Sequence, residues 1–161
     1  MPTVNNNQRE GAVSNAHVGR DFEEVALLFY KNNGIDLTLN KEIEIGISQR
    51  KIHKFDLGND ALIVECKSYK WTNGNKVPGA KIHALNEAMF YFYLAPIEYQ
   101  KHLFILMNYS QKHCRSLVEY YVDKYYFFIP RDVEIYEYYE IDQRCVIYKY
   151  NEKEGKHIKI S

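Results

Sequence analysis

The spacing of apolar side chains along the chain predicts alternating helices and strands. Apolar residues recur at helical spacing from Phe22 to Phe29, which predicts a helix from Asn15 or His17 to Asn32. The further predicted elements, in chain order, are strands over 41–47, 52–57 and 61–67, a helix over 79–94, a strand over 103–107, a helix from 114 or 115 to 126, and strands or one hairpin over 133–141 and 146–150. This order indicates an α/β fold.

One predicted hairpin carries charged residues where a buried strand ends. Two apolar strands flank a Gly-Asn-Asp turn, and the second strand runs from Ala61 directly into Glu65 and Lys67. A third charged residue, Asp56, lies across the turn. Charged side chains are rare in buried strands unless they are paired or bind a metal. The hairpin therefore predicts a functional site.

Strand geometry indicates which acid belongs to that site. Glu65 and Lys67 share one face of their strand, because successive side chains point to opposite faces. A two-residue loop pairs Asp56 with Ile63 or with Ala61, depending on which residues form the loop, and both pairings place Asp56 on that same face. Asp60 then falls on the other face or in the turn.

Two carboxylates and a lysine at one point suit metal-assisted hydrolysis of a phosphodiester. Asp56 and Glu65 are hard oxygen ligands suited to Mg²⁺, for which Mn²⁺ can substitute. Lys67 can hold the attacking water or stabilise negative charge in the transition state. The competing interpretation is a surface hairpin whose charges are merely solvated.

These residues resemble the PD-(D/E)XK nuclease superfamily. The matching residues are Asp56 with the triplet Glu65-Cys66-Lys67, and, upstream, the stretch Gly19-Arg20-Asp21-Phe22-Glu23, which is similar to the Gly-x-x-Phe-Glu opening of the family's first helix. Phe55 stands where the family name has proline. The resemblance covers roughly residues 17–110 and implies a restriction-endonuclease-like fold: a central mixed sheet of four to five strands flanked by helices, followed here by a C-terminal β extension.

The resemblance also implies roles for individual residues. Asp56 and Glu65 bind the metal, and Glu23 supports the site from the first helix, with Glu24 as the alternative. Lys67 holds the nucleophilic water, whereas Cys66 lends only its backbone carbonyl to the metal.

Composition sets the class of protein. The chain has 161 residues, which suits one nuclease-like domain over 15–161 preceded by a disordered tail over 1–14. Three cysteines without a Cys-x-x-Cys pair indicate a reduced, cytoplasmic protein without a zinc site. No apolar run is long enough to predict a membrane span.

Net charge is zero, but the charges are unevenly distributed. The stretch 50–81 has seven cations and three acids, whereas 131–142 has five acids and one cation. A locally basic surface suits a phosphate backbone. The candidate contacts to nucleic acid are Lys70, Trp71, Lys76 and Lys81, although a lone tryptophan such as Trp71 is more often a core anchor.

These observations predict a Mg²⁺-dependent DNA endonuclease of restriction type. An alternative is a nuclease that resolves branched DNA, of the Holliday-junction type. Another alternative is a non-catalytic nucleic-acid-binding or assembly module on the same fold. One site cuts one strand, so we expect a homodimer or two successive cuts, and an exposed tyrosine-rich surface over 133–150 is the candidate dimer face.

Overall fold

The computed structural model describes residues 15–160, with side chains from residue 21 onwards. The predicted disordered tail over 1–14 lies outside the described residues, as does Ser161. The helices are α1 (Asn15–Asn32), α2 (Gly79–Leu94) and α3 (Leu117–Tyr125), and a 3-10 turn covers Tyr126–Phe128. The strands are β1 (Thr38–Ile45), β2 (Lys51–Gly58), β3 (Leu62–Lys67), β4 (Gln100–Leu106), β5 (Tyr109–Ser110), β6 (Arg115–Ser116), β7 (Val133–Tyr139), β8 (Arg144–Asn151) and β9 (Lys156–Lys159).

Seven of these strands form one mixed sheet in the order β1-β2-β3-β4-β7-β8-β9. The central strands β3, β4 and β7 are parallel, and the outer pairs are antiparallel. The prediction of an α/β fold with a mixed sheet is confirmed. The sheet is wider than the predicted four to five strands because β8 and β9 continue it. The short strands β5 and β6 pair only with each other.

Helices cover both faces of the sheet. On one face, α1 packs through Phe22, Ala26 and Tyr30 against a cluster that includes Phe104 and Val64. On the other face, α2 and α3 bury their apolar residues against a larger cluster. The central strand β4 contributes to both layers, as a continuous apolar run predicts. No helix among residues 15–160 has the length and apolar character to cross a bilayer.

The tyrosine-rich strands lie inside the sheet rather than on its edge. β7 is between β4 and β8, and β8 is between β7 and β9. Tyr138 and Tyr148 are buried, and Tyr136 is half-buried. The two strands do form the predicted hairpin, but the exposed tyrosine face expected for a dimer is absent from residues 133–150. The missed strand β9 follows a turn ending at Gly155 and pairs with β8, so β9 forms this edge of the sheet.

The regular alternation of side chains breaks in β2 at Asp56. Phe55 packs in the α2 and α3 layer, with its ring stacked on Phe92 at 5.7 Å between centroids. Leu57, two residues on, packs in the α1 layer instead. Opposite Asp56, Asn40 of β1 has a positive φ of 56°. Asp56 thus lies where the strand passes from one layer to the other.

Gly58 allows β1, β2 and the following turn to approach closely. A Cβ at this position would lie 2.6 Å from the Cγ of Lys41 and 2.9 Å from the carbonyl oxygen of Leu62. We expect Gly58→Ala to lower the free energy of unfolding by about 2 kcal/mol, because the backbone must shift to relieve the overlap. Urea denaturation measures this change. Gly74→Ala is the control, since a Cβ there meets nothing within 4 Å, and an equal loss in both variants would contradict the packing argument.

Candidate active site

The candidate site forms where β2 and β3 diverge. The ladder between these strands contains the pairs Leu57 with Val64 and Gly58 with Ile63. Beyond Val64, the carboxylate of Asp56 takes the place of a strand partner: its Oδ2 accepts a hydrogen bond from the backbone N–H of Cys66 at 2.7 Å. This bond holds Asp56 at the end of β3.

The observed register differs from both predicted ones. The turn is centred on Asp60 and Ala61, because the backbone N–H of Asn59 donates to the carbonyl oxygen of Leu62 at 2.9 Å. The side-chain oxygen of Asn59 also accepts hydrogen bonds from the backbone N–H groups of Ala61 and Leu62. The predicted pairings of Asp56 with Ile63 or Ala61 are therefore wrong. The even loop length is preserved, and continuing the observed register places Asp56 opposite Glu65.

The position of Asp56 beside Glu65 destabilises the charged form of its carboxyl group. Burial raises the pKa of its carboxyl group, and the charge of Glu65 raises it further, to about 7 from an ordinary value of 3.8. The hydrogen bond from Cys66 and the charge of Lys67 act in the opposite direction but do not offset the increase. Two close, partly buried carboxylates destabilise each other unless a cation or a proton is present.

Glu65 is buried, and each of its carboxylate oxygens contacts one nitrogen-bearing side chain. Its Oε2 lies 3.2 Å from Nζ of Lys67, and its Oε1 lies 3.1 Å from Nε2 of His53. The Glu65 side chain is only 6% exposed. Because both partners are on adjacent strands of one hairpin, the carboxylate has a fixed orientation.

Lys67 is held in its protonated form. Burial alone would lower the pKa of its amine, but the charges of Glu65 and Asp56 outweigh burial and the pKa is raised overall. Lys67 can therefore donate hydrogen bonds to a water or an anion, and it does not act as a general base near neutral pH. Both roles that the sequence predicts for Lys67, holding the attacking water and stabilising negative charge, are compatible with this protonated form.

Glu23 reaches the same region from α1. Its side chain is half-buried, and its charge raises the pKa of both Asp56 and Cys66. Glu24, the alternative, is exposed. The Cys66 thiol is buried, and burial raises its pKa well above its ordinary value, so it is a neutral side chain. Cys66 is thus a small buried residue near the end of β3.

Three ring-bearing residues near the acids were not predicted. His53 contacts Glu65 and stacks on Tyr91 of α2 at 4.0 Å between ring centroids. Tyr69 is half-buried. Burial raises the pKa of its hydroxyl, the charge of Lys67 lowers it, and the charges of Glu65 and Asp56 raise it further. Regular alternation carries no signal for His53, because it places Asp56 on the face of Glu65 and His53, three residues earlier, on the opposite face. The break in alternation at Asp56 brings both residues to Glu65.

Trp71 is a structural anchor. Its indole N–H donates to the carbonyl oxygen of Asn108 at 3.1 Å, and its ring stacks on His113 at 4.4 Å. The residue is only 7% exposed. This burial excludes Trp71 as a base-stacking contact in this conformation and favours the core alternative.

The three candidate lysines are exposed, but they relate differently to the acids. Lys81 places its Nζ 4.9 Å from the ring centroid of Tyr69 and therefore borders the site. In the described part of the chain, no contact links Lys70 or Lys76 to the acidic pair. Backbone bonds between Thr72 and Lys76 instead close a local turn.

The residues at this site fit a hydrated Mg²⁺ better than a fully coordinated metal. Among the described residues, no group of three or more His, Cys, Asp or Glu side chains is arranged to hold an ion. Mg²⁺ is commonly bound by one or two carboxylates, with water and substrate oxygens completing its shell. Asp56 and Glu65 supply that number, although Glu65 would share its oxygens with Lys67 and His53.

Comparison with known proteins identifies no relative: no family model, no curated protein and no solved structure matches the chain. The assignment of a function therefore rests on the site itself.

The raised pKa of Asp56 predicts how its removal changes stability with pH. In the folded protein Asp56 keeps its proton up to about pH 7, whereas in the unfolded chain it loses it near pH 4. Its contribution to stability is thus fully present below pH 4 and is lost as the pH rises through 7. Relative to wild type, Asp56→Asn should gain about 2 kcal/mol between pH 4 and pH 8, allowing for solvent screening.

Urea denaturation of both proteins across this pH range measures the difference. Asp60→Asn is the matched control, because Asp60 is fully exposed on the same hairpin. A difference between wild type and Asp56→Asn that does not vary with pH would contradict the proximity of Asp56 to Glu65.

Proposed function

We propose that this protein is a Mg²⁺-dependent endonuclease that hydrolyses DNA phosphodiester bonds, with a restriction-endonuclease-like fold. The observation that carries the proposal is the acidic pair, Asp56 and Glu65, held beside a protonated Lys67 at the point where β2 and β3 diverge. The order of helix, three strands, helix and strand over α1–β4 supports it.

The acidic pair suits a divalent cation on energetic grounds. Bringing Asp56 and Glu65 together raises the pKa of Asp56, and this cost is removed by a cation bound between the carboxylates. Bound Mg²⁺ would activate a water and shield the charge of a phosphodiester. Strongly perturbed carboxyl groups are common at functional sites, and this one has a second carboxylate and a lysine beside it.

Lys67 and its neighbours would act on the substrate rather than on the metal. The Lys67 ammonium group donates hydrogen bonds and places positive charge where negative charge develops during attack on phosphorus. Glu65 orients that ammonium group through the 3.2 Å ion pair. His53 orients Glu65 in turn, since its ring is fixed by stacking on Tyr91. Glu23 adds a further negative charge near Asp56.

Plasmid cleavage tests the proposal. With Mg²⁺ present, wild type should convert supercoiled plasmid to nicked or linear forms, and Lys67→Ala and Asp56→Ala should each lose activity by about 10²–10³-fold, because each removes a charge aimed at the reacting phosphate or the metal. Lys153→Ala is the matched control, an exposed lysine in the β8–β9 turn that should retain cleavage. Equal cleavage by wild type, Lys67→Ala and Asp56→Ala would refute the assignment.

A non-catalytic nucleic-acid-binding module is the second candidate, and one observation favours it. Both oxygens of Glu65 are already engaged, by Lys67 and by His53, so the carboxylate is satisfied without a metal. A binding module would use the exposed lysines and leave the acids as an internal ion-pair network.

Calorimetric titration with Mg²⁺ separates the two candidates. If the protein is a nuclease, wild type should bind Mg²⁺ at pH 8 and Asp56→Asn should not, because the variant lacks one of the two anionic ligands. Asp60→Asn should bind as wild type does. Absence of Mg²⁺ binding in wild type, together with intact DNA binding, would favour the module.

A further inference from the structure

The turn between β1 and β2 projects an unusual surface at the end of the sheet that carries the acids. We define the β1–β2 tip as residues 46–52. Ile47 is 83% exposed and Ile52 is 53% exposed, and the cations Arg50 and Lys51 lie between them. No acidic residue occurs within the tip. Exposed isoleucines in the same short turn as two cations contribute nothing to the core and suit contact with a ligand.

Strand directions place this tip beside the site. β2 runs antiparallel to β3, so the start of β2 at Lys51 and the end of β3 at Lys67 lie at the same end of the sheet. Arg50 is three residues from His53, which corresponds to about 10 Å along a strand. A polymer bound at the acidic pair would therefore reach the tip.

The shape of the tip is fixed. A Cβ on Gly46 would collide with the backbone carbonyl of Gln49, which shows that the chain closes tightly there. The guanidinium group of Arg50 donates to the carbonyl oxygen of Glu44 at 3.5 Å. The base of the ribbon is anchored by Ile43 and Ile45, both buried against the α2 layer. A fixed ribbon loses little conformational entropy on binding.

A second turn at the same end of the sheet provides a comparison. β7 is parallel to β4 and β3, so the β7–β8 turn, residues 140–143, also lies at this end. It exposes Ile141, at 98%, but between Glu140 and Asp142. Of these two turns, the β1–β2 tip has the positive charge, because Arg144 beside the second turn is paired with Asp142. A polyanion therefore favours the β1–β2 tip.

We propose that the β1–β2 tip enters the major groove of duplex DNA bound at the acidic pair, an inference that rests on the proposed function. Two strands lie about 4.8 Å apart, and with their side chains they fill the major groove, which is about 12 Å wide, but exceed the minor groove, which is about 6 Å wide. Arg50 and Lys51 contact phosphates. Ile47 contacts base edges, where thymine methyl groups offer an apolar surface.

Fluorescence anisotropy with a labelled poly(dA·dT) duplex tests the tip, using proteins that carry Lys67→Ala so that the DNA stays intact. Ile47→Ala should weaken binding about tenfold without changing its salt dependence, because it removes apolar contact only. Arg50→Ala should weaken binding and reduce the slope against salt by about one phosphate. Replacing thymine by uracil removes the methyl group from each base. This change should weaken DNA binding by the protein with the unaltered tip but not by the Ile47→Ala variant.

Ile141→Ala and Arg144→Ala, at the β7–β8 turn, are the matched controls and should bind as the parent does. Parent-like affinity of Ile47→Ala and Arg50→Ala would overturn the proposal, and so would an equal effect of uracil on both proteins. Each outcome is separable from the proposed function. Plasmid cleavage that depends on Lys67 but not on the tip leaves the nuclease standing, whereas tip-dependent binding without cleavage supports the tip in a non-catalytic protein.

Discussion

The hydrogen bond from the backbone N–H of Cys66 to the carboxylate of Asp56 determines the geometry of this site. Past Leu57 and Val64 no ladder pair joins β2 to β3, and a buried N–H at that point needs an acceptor. Asp56 supplies it at 2.7 Å. Its side chain is thereby drawn to the end of β3, beside Glu65, and β2 is free to direct Phe55 and Leu57 into different layers of the core.

This contact also explains the electrostatics of the site, because it holds Asp56 beside Glu65. The partly buried Asp56 carboxylate is destabilised there, while Lys67 and His53 each contact one oxygen of Glu65. Buried charges retained despite such a cost commonly mark chemistry rather than stability. Strand β2 carries Asp56 and also leads into the β1–β2 tip, so it connects the site to the candidate DNA surface.

The sequence predicted the elements better than their arrangement. Helix α2 has the predicted bounds, Gly79–Leu94, because its buried residues Ile82, Leu85, Met89 and Phe92 recur at helical spacing and Pro96 follows its end. The predicted register of β2 and β3 was wrong because the turn is centred on Asp60 and Ala61, where the side chain of Asn59 fixes it, an effect that apolar patterns do not carry. Strand β9 was missed for a similar reason: its short run of residues becomes a strand only through pairing with β8.

The sequence predicted that Asp56, Glu65 and Lys67 lie together, and the structure brings these three side chains into one cluster. The role of Trp71 and the presence of His53 depend on tertiary contacts with Asn108 and Tyr91, far away in the chain. Such contacts leave no local pattern in the residues themselves.

The confinement of His53, Asp56, Glu65 and Lys67 to one hairpin has a consequence for folding kinetics. These residues meet when a short loop closes, which precedes the pairing of β3 with β4 across the whole of α2. The mutual repulsion of Asp56 and Glu65 is therefore encountered early, before most of the core exists to oppose it. Protonation of Asp56 or a bound cation relieves that repulsion, so acidity and divalent ions should act on the folding rate as well as on the finished site.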